Sequence, residues 1–89
     1  MTDSRHRQLS RVYQRPIEDD GDARAAIAAD PGILASALFL EAVESDDVTG
    51  VKSARSYLAD RLKSLDDLVG SSAPTIREAF EQRIKAWEQ

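Results

Sequence analysis

Cysteine is absent from the 89 residues, and histidine occurs once, at position 6. The first absence excludes disulfides and thiolate metal sites. The second excludes a histidine-rich metal site. Aromatic residues make up only 6% of the chain. No alternating β-branched run marks a strand, and no internal repeat marks a solenoid. The longest dense apolar run, Ile33–Leu40, is far short of the about twenty residues that span a bilayer. No apolar segment of the signal-peptide kind follows Met1-Thr-Asp-Ser-Arg5. The expected protein is therefore soluble and cytoplasmic, and its length fits one domain with a modest core.

Charge is unevenly placed within the net −4. Residues 1–17 carry Arg5, Arg7, Arg11 and Arg15 against Asp3, for +3. Residues 18–50 carry nine carboxylates against Arg24, for −8, and the remainder is +1. A basic arm and an acidic middle give the molecule two different faces. The acidic middle argues against nucleic-acid binding by the body of the domain, because phosphate contact dominates that affinity.

The pattern predicts an all-α fold, a small bundle of three to four helices over 18–89, at about 23–29, 32–45, 48–69 and 74–88. Residues 1–17 are either a disordered arm or a short helix, since Leu9, Val12 and Tyr13 share helical spacing. Pro16 would stop such a helix. Few apolar groups lie in 1–16, so their removal is expected to leave stability nearly unchanged. Asp22 is the expected cap of the first bundle helix, a short alanine-rich one. Asp30-Pro31 is a strong start for the next. That helix is apolar nearly all round, with Ile33 and Leu40, Leu34 and Leu38, and Phe39 and Val43 on different sides. Such a helix is expected at the centre, with others around it.

Asp46 or Asp47 is the expected cap of the third helix. Its stripe is Val51, Ala54, Leu58, Leu62, Leu65 and Val69, with Lys63 paired to Asp67. Gly70 is the expected stop. The last helix carries Ile76, Phe80, Ile84 and Trp87 as a stripe, with Glu81 and Lys85 as a favourable pair.

Chemistry is hard to find in these residues. A hydrolytic triad needs a nucleophile, a base and an orienting acid. The one base, His6, is expected to be a solvated side chain of the arm. No two carboxylates are marked as a pair facing a pocket. Asp19-Asp20-Gly21-Asp22 fails the spacing of a calcium loop, because Gly21 and Ala23 fall where ligands are needed. No enzyme activity, cofactor or metal is therefore expected.

Two segments raise nucleic acid as an alternative. Leu65–Phe80 resembles the second half of the helix-turn-helix of small bacterial repressors and antitoxins. The resemblance covers sixteen residues and implies that Thr75, Arg77 and Gln82 project from a recognition helix. It departs from the pattern in a shortened helix before the turn, and in Asp66 and Asp67, which sit where the DNA backbone would pass. The arm is the second segment, where Arg5, Arg7, Arg11 and Arg15 with Tyr13 have the chemistry to grip phosphates.

The favoured expectation is a small regulatory, adaptor or inhibitor protein acting through protein–protein contact. Its candidate partner-binding residues are Leu34, Leu38, Phe39, Val43 and Trp87. One side of the helix at 32–45 is short of cover. That calls for a second copy in a homodimer, for another protein, or for the arm folding over it with Leu9, Val12 and Tyr13.

Overall fold

A computed structural model describes residues 4–88. Residues 1–3 of the expected arm, Asp3 among them, and Gln89 lie outside the described residues. The fold is all-α: α1 (Ser4–Tyr13), α2 (Asp20–Ala29), α3 (Pro31–Glu44), α4 (Val51–Ser64), the single turn α5 (Asp66–Val69) and α6 (Ala73–Glu88). A 3-10 turn, Gly70–Ser72, joins α5 to α6. The three to four helices expected become five helices of ten or more residues and one single turn.

The additional helix is α1, so the described part of residues 1–17 takes the helical alternative. Its inner stripe is His6 and Leu9, both buried. The helix ends before Pro16. Gln14 takes a left-handed conformation, φ 54°, and the Arg15 amide donates to the Ser10 carbonyl at 3.2 Å. This is the six-to-one bond of a Schellman ending, with glutamine where glycine is usual. The Ser10 hydroxyl then accepts from the Ile17 amide and donates to the His6 carbonyl, both at 2.9 Å. The chain is thereby turned back, and Ile17 enters the core.

Asp19, not Asp22, caps α2: its carboxylate accepts from the Asp22 amide at 2.7 Å. The Asp22 carboxylate turns outward to the Glu18 amide at 3.2 Å. Helices α2 and α3 meet at 97°. Asp30 makes that corner by ending one helix and starting the other. Its amide donates to Ala26, and its carboxylate accepts from Ile33. Pro31 follows at the first helical position, where a missing amide hydrogen costs nothing.

Helix α3 packs against α1, α2, α4 and α6. Leu34, Ala35, Leu38 and Ala42 are its buried residues. It is not enclosed all round, however, and one face stays open. Helix α4 begins three residues later than expected, at Val51. Neither Asp46 nor Asp47 caps it. The Ser53 hydroxyl accepts from the amides of Thr49 and Gly50, at 2.9 and 3.1 Å.

The long helix expected over 48–69 breaks at Leu65, whose amide is shared among the Arg61, Leu62 and Lys63 carbonyls. Leu65, Leu68 and Val69 all remain buried across the break. Asp67 pairs with Arg5 at 2.8 Å, and the Arg24 guanidinium donates to the Asp67 carbonyl at 3.1 Å. So α5 is tied to α1 and α2, and the expected Lys63–Asp67 pair gives way to Arg5–Asp67. Gly70 closes α5 at φ 48°, a conformation that favours glycine.

In α6, Ile76, Phe80 and Ile84 are buried, and Phe39 meets Phe80 edge-on at 5.5 Å between ring centroids. Arg55 of α4 makes two hydrogen bonds to Glu81 of α6, at 2.7 and 2.9 Å. Lys85 adds only through space to Glu81, whose carboxyl the Arg55 bonds hold below the usual carboxylate range.

Candidate functional site

Among the described residues the exposed large apolar side chains are Ile33, Leu40, Val43 and Trp87. The first three belong to α3. With Ser36, Ala37 and Glu44 they fall within about 120° of each other on a wheel of 100° per residue. The opposite side of α3, from Leu34 through Ala42 to Phe39, faces the core. Leu40 is the most open of the set, at 60% exposure. Trp87 extends the face from α6, 41% exposed, with its ring edge-on to Phe39 at 5.9 Å. Beside the stripe runs an open groove between α3 and α6, lined by Ile33, Ser36, Ala79, Gln82, Arg83 and Ala86.

Of the residues expected to meet a partner, Phe39, Val43 and Trp87 therefore lie at or under an open face. Leu34 and Leu38 do not. They are 1% and 2% exposed, packed inside the chain. The cause is α1. Leu9 and Val12 line one cleft with Leu34, Leu38 and Leu65, so α1 covers that side of α3. Ile33 and Leu40 take their place on the surface. The wheel held that signal, because Ile33 and Leu40 stand seven residues apart with the small Ser36 and Ala37 between them on that face. Choosing which side is open required knowing where α1 packs.

His6 is not a solvated side chain. It is 8% exposed, and its Nε2 lies 2.7 Å from Asp20 Oδ1 at the start of α2. The nearby Ser10 hydroxyl donates to the His6 backbone carbonyl and accepts from the Ile17 amide, so its bonds go to backbone and not to the imidazole. The pair joins α1 to α2, and among the described residues no nucleophile is aligned on it.

A second polar cluster, not foreseen, ties α1, α3 and α4. Glu41 accepts from Gln8 and, at 3.1 Å, from Tyr57. Arg61 donates to the Gln8 side-chain oxygen, Oε1, at 3.1 Å, and its Nε lies 3.4 Å from Glu41. Burial and the Glu41 charge raise the Tyr57 phenol above its ordinary value. A carboxylate inside an apolar helix was the visible hint, and here it serves as a strap between helices. Among the described residues no three acidic or histidine side chains converge as a metal site would require.

The nucleic-acid candidates separate into two places. Arg7, Arg11 and Arg15 are exposed on and just after α1, while Arg5 is held by Asp67. Thr75 and Arg77 are exposed in α6, and Arg77 shares a groove with Lys63 and Asp66. Each set thus has an aspartate of α5 against it. The segment before α6 is one turn of helix and a 3-10 turn, shorter than the first helix of a helix-turn-helix. No single helix is long and apolar enough to cross a membrane. Compared with models of known protein families, with curated proteins and with solved structures, the chain matches none.

Proposed function

We propose that this is a non-enzymatic regulatory or adaptor protein of the cytoplasm that works by docking another polypeptide on the exposed face of α3. The observation that carries this reading is the stripe Ile33–Leu40–Val43, continued by Trp87. Single exposed apolar residues are ordinary, but a contiguous set on one helix face usually marks an interface. Helix-in-groove recognition uses side chains at this spacing. The face is also on a rigid element, capped at its start and packed along its inner side.

A photo-crosslinking amino acid at position 40, in cells making the full chain, tests the reading. A control carries it at Ala28, an exposed position of α2. Protein adducts from position 40 and none from position 28 are expected. Adducts to nucleic acid alone, or equal protein adducts at both positions, would overturn it.

A further inference from the structure

The occupant of this face can be narrowed by its charges. Glu44 lies on the open stripe at the end of α3, and Arg83 borders Ile33 and Ser36 in the groove near its start. Both are exposed, and neither forms an ion pair within the described residues. Two nearby carboxylates are engaged, Glu41 with Arg61 and Glu81 with Arg55. The open stripe therefore ends on the exposed acid Glu44, with exposed Asp46 and Asp47 just beyond it, and has the exposed base Arg83 beside its other end, where Asp30 also lines the groove but is engaged in capping α3. That arrangement is self-complementary under a twofold axis, because such an axis exchanges the two ends.

We propose that the face is occupied by a second copy of this chain, with the two α3 helices antiparallel about a twofold axis at the middle of the stripe. The inference rests on the protein-docking reading above and names the partner. With the axis between Leu38 and Phe39, Ile33 opposes Glu44 of the other copy, and Ala37 opposes Leu40. The bulky Leu40 then meets the small Ala37 and Ser36, so a large side chain enters a space that small ones leave. Arg83, beside Ile33, comes against the other copy's Glu44, and the axis makes that contact twice. The face is one helix of about 20 Å with a groove beside it. It is small for a permanent dimer, so association in the micromolar range is expected.

Sedimentation equilibrium of the full chain across roughly 1–100 µM tests the inference. The expected result is a reversible rise from 9.8 kDa toward twice that mass. Leu40→Glu should remain a monomer while keeping the parent's helical circular dichroism, because position 40 is 60% exposed in the single chain. Glu44→Arg and Arg83→Glu should each weaken association by about tenfold, since two like-charge contacts arise at once. Combined in one chain, the two reversals should restore the parent's association. A parent that stays monomeric, a Leu40→Glu variant that still dimerises, or a double reversal no better than either single one overturns the inference. A monomeric parent whose position 40 crosslinks to a different protein would end this inference and leave the docking function standing.

Discussion

The Tyr13 hydroxyl donates a 2.9 Å hydrogen bond to the backbone carbonyl of Asp30. Asp30 is the corner residue between α2 and α3, so this bond staples the end of α1 to the bend that orients α3. It requires a neutral phenol. Burial first, and the nearby Asp30 carboxylate second, push the Tyr13 pKa up from 10.0 to about 12.

That shift predicts a loss of stability in alkali. A raised folded-state pKa means the folded chain holds the proton more tightly than the unfolded chain. The stabilisation is complete below pH 10 and is lost as pH rises between 10 and about 12. The urea midpoint of the parent should fall across that window more steeply than that of Tyr13→Phe. Because the Tyr57 phenol is also raised, phenolate absorbance of the folded chain should appear later than in free tyrosine. An ordinary phenolate titration would show that neither ring is held as described.

The N-terminal segment should prove integral to the domain. Leu9 is buried against Leu34 and Leu38, and His6 and Ile17 are buried beside it. Leu9→Ala is expected to cost about 2–5 kcal/mol, the range for a buried leucine. That is a large share of a typical total of about 5–15 kcal/mol. Equilibrium urea denaturation measures it, and a change under about 1 kcal/mol would mean that α1 contributes little to the core.

The outcome for α1 shows where sequence reading reached its limit. The caps of α3 were legible, because Asp30 and Pro31 act through local geometry. So were the stripe of α6 and the glycine stop at Gly70. In the run Asp19-Asp20-Gly21-Asp22, however, several aspartates offer equivalent caps, and Asp19 takes the role by accepting from the Asp22 amide while the Asp22 carboxylate accepts from the Glu18 amide. The stripe of α4 ran on through Leu65 because Leu65, Leu68 and Val69 stay buried across the break, so periodicity did not mark it. Docking residues were the least legible. Ile33, Leu34, Leu38 and Leu40 are alike as residues, and which pair faces water depends on Leu9 and Val12, more than twenty positions earlier.

The ending of α1 also carries a prediction of its own. Gln14 holds φ 54°, where a side chain is strained and glycine is not. Gln14→Gly is expected to stabilise the chain by roughly 0.5–1 kcal/mol, despite the added freedom of the unfolded state. Gln14→Val should destabilise it by about 1 kcal/mol or more, because a β-branched residue fits this conformation worst. Thermal melts of the two variants should move in opposite directions. If both fall, the left-handed ending is not what the chain adopts in solution.

Two large apolar residues of neighbouring helices provide the sharpest contrast. Phe80 is fully buried, edge-on to Phe39 and flanked in α6 by Ile76 and Ile84. Leu40 is 60% exposed. Composition treats them alike, and burial separates them. Phe80→Ala removes most of a ring from a packed site and is expected to cost about 3–5 kcal/mol, leaving the domain unfolded or nearly so at room temperature. Leu40→Ser should change the stability of the single chain by no more than about 0.5 kcal/mol, since little of its surface is removed from water. The measurement is urea unfolding at a chain concentration low enough that a dimer would dissociate, because binding to the folded state alone raises apparent stability. Repeating it at high concentration adds a second reading. There, a self-associating parent gains stability that Leu40→Ser does not. A dilute Leu40→Ser variant that melted as poorly as Phe80→Ala would place Leu40 in the core and remove the open face on which the docking function depends.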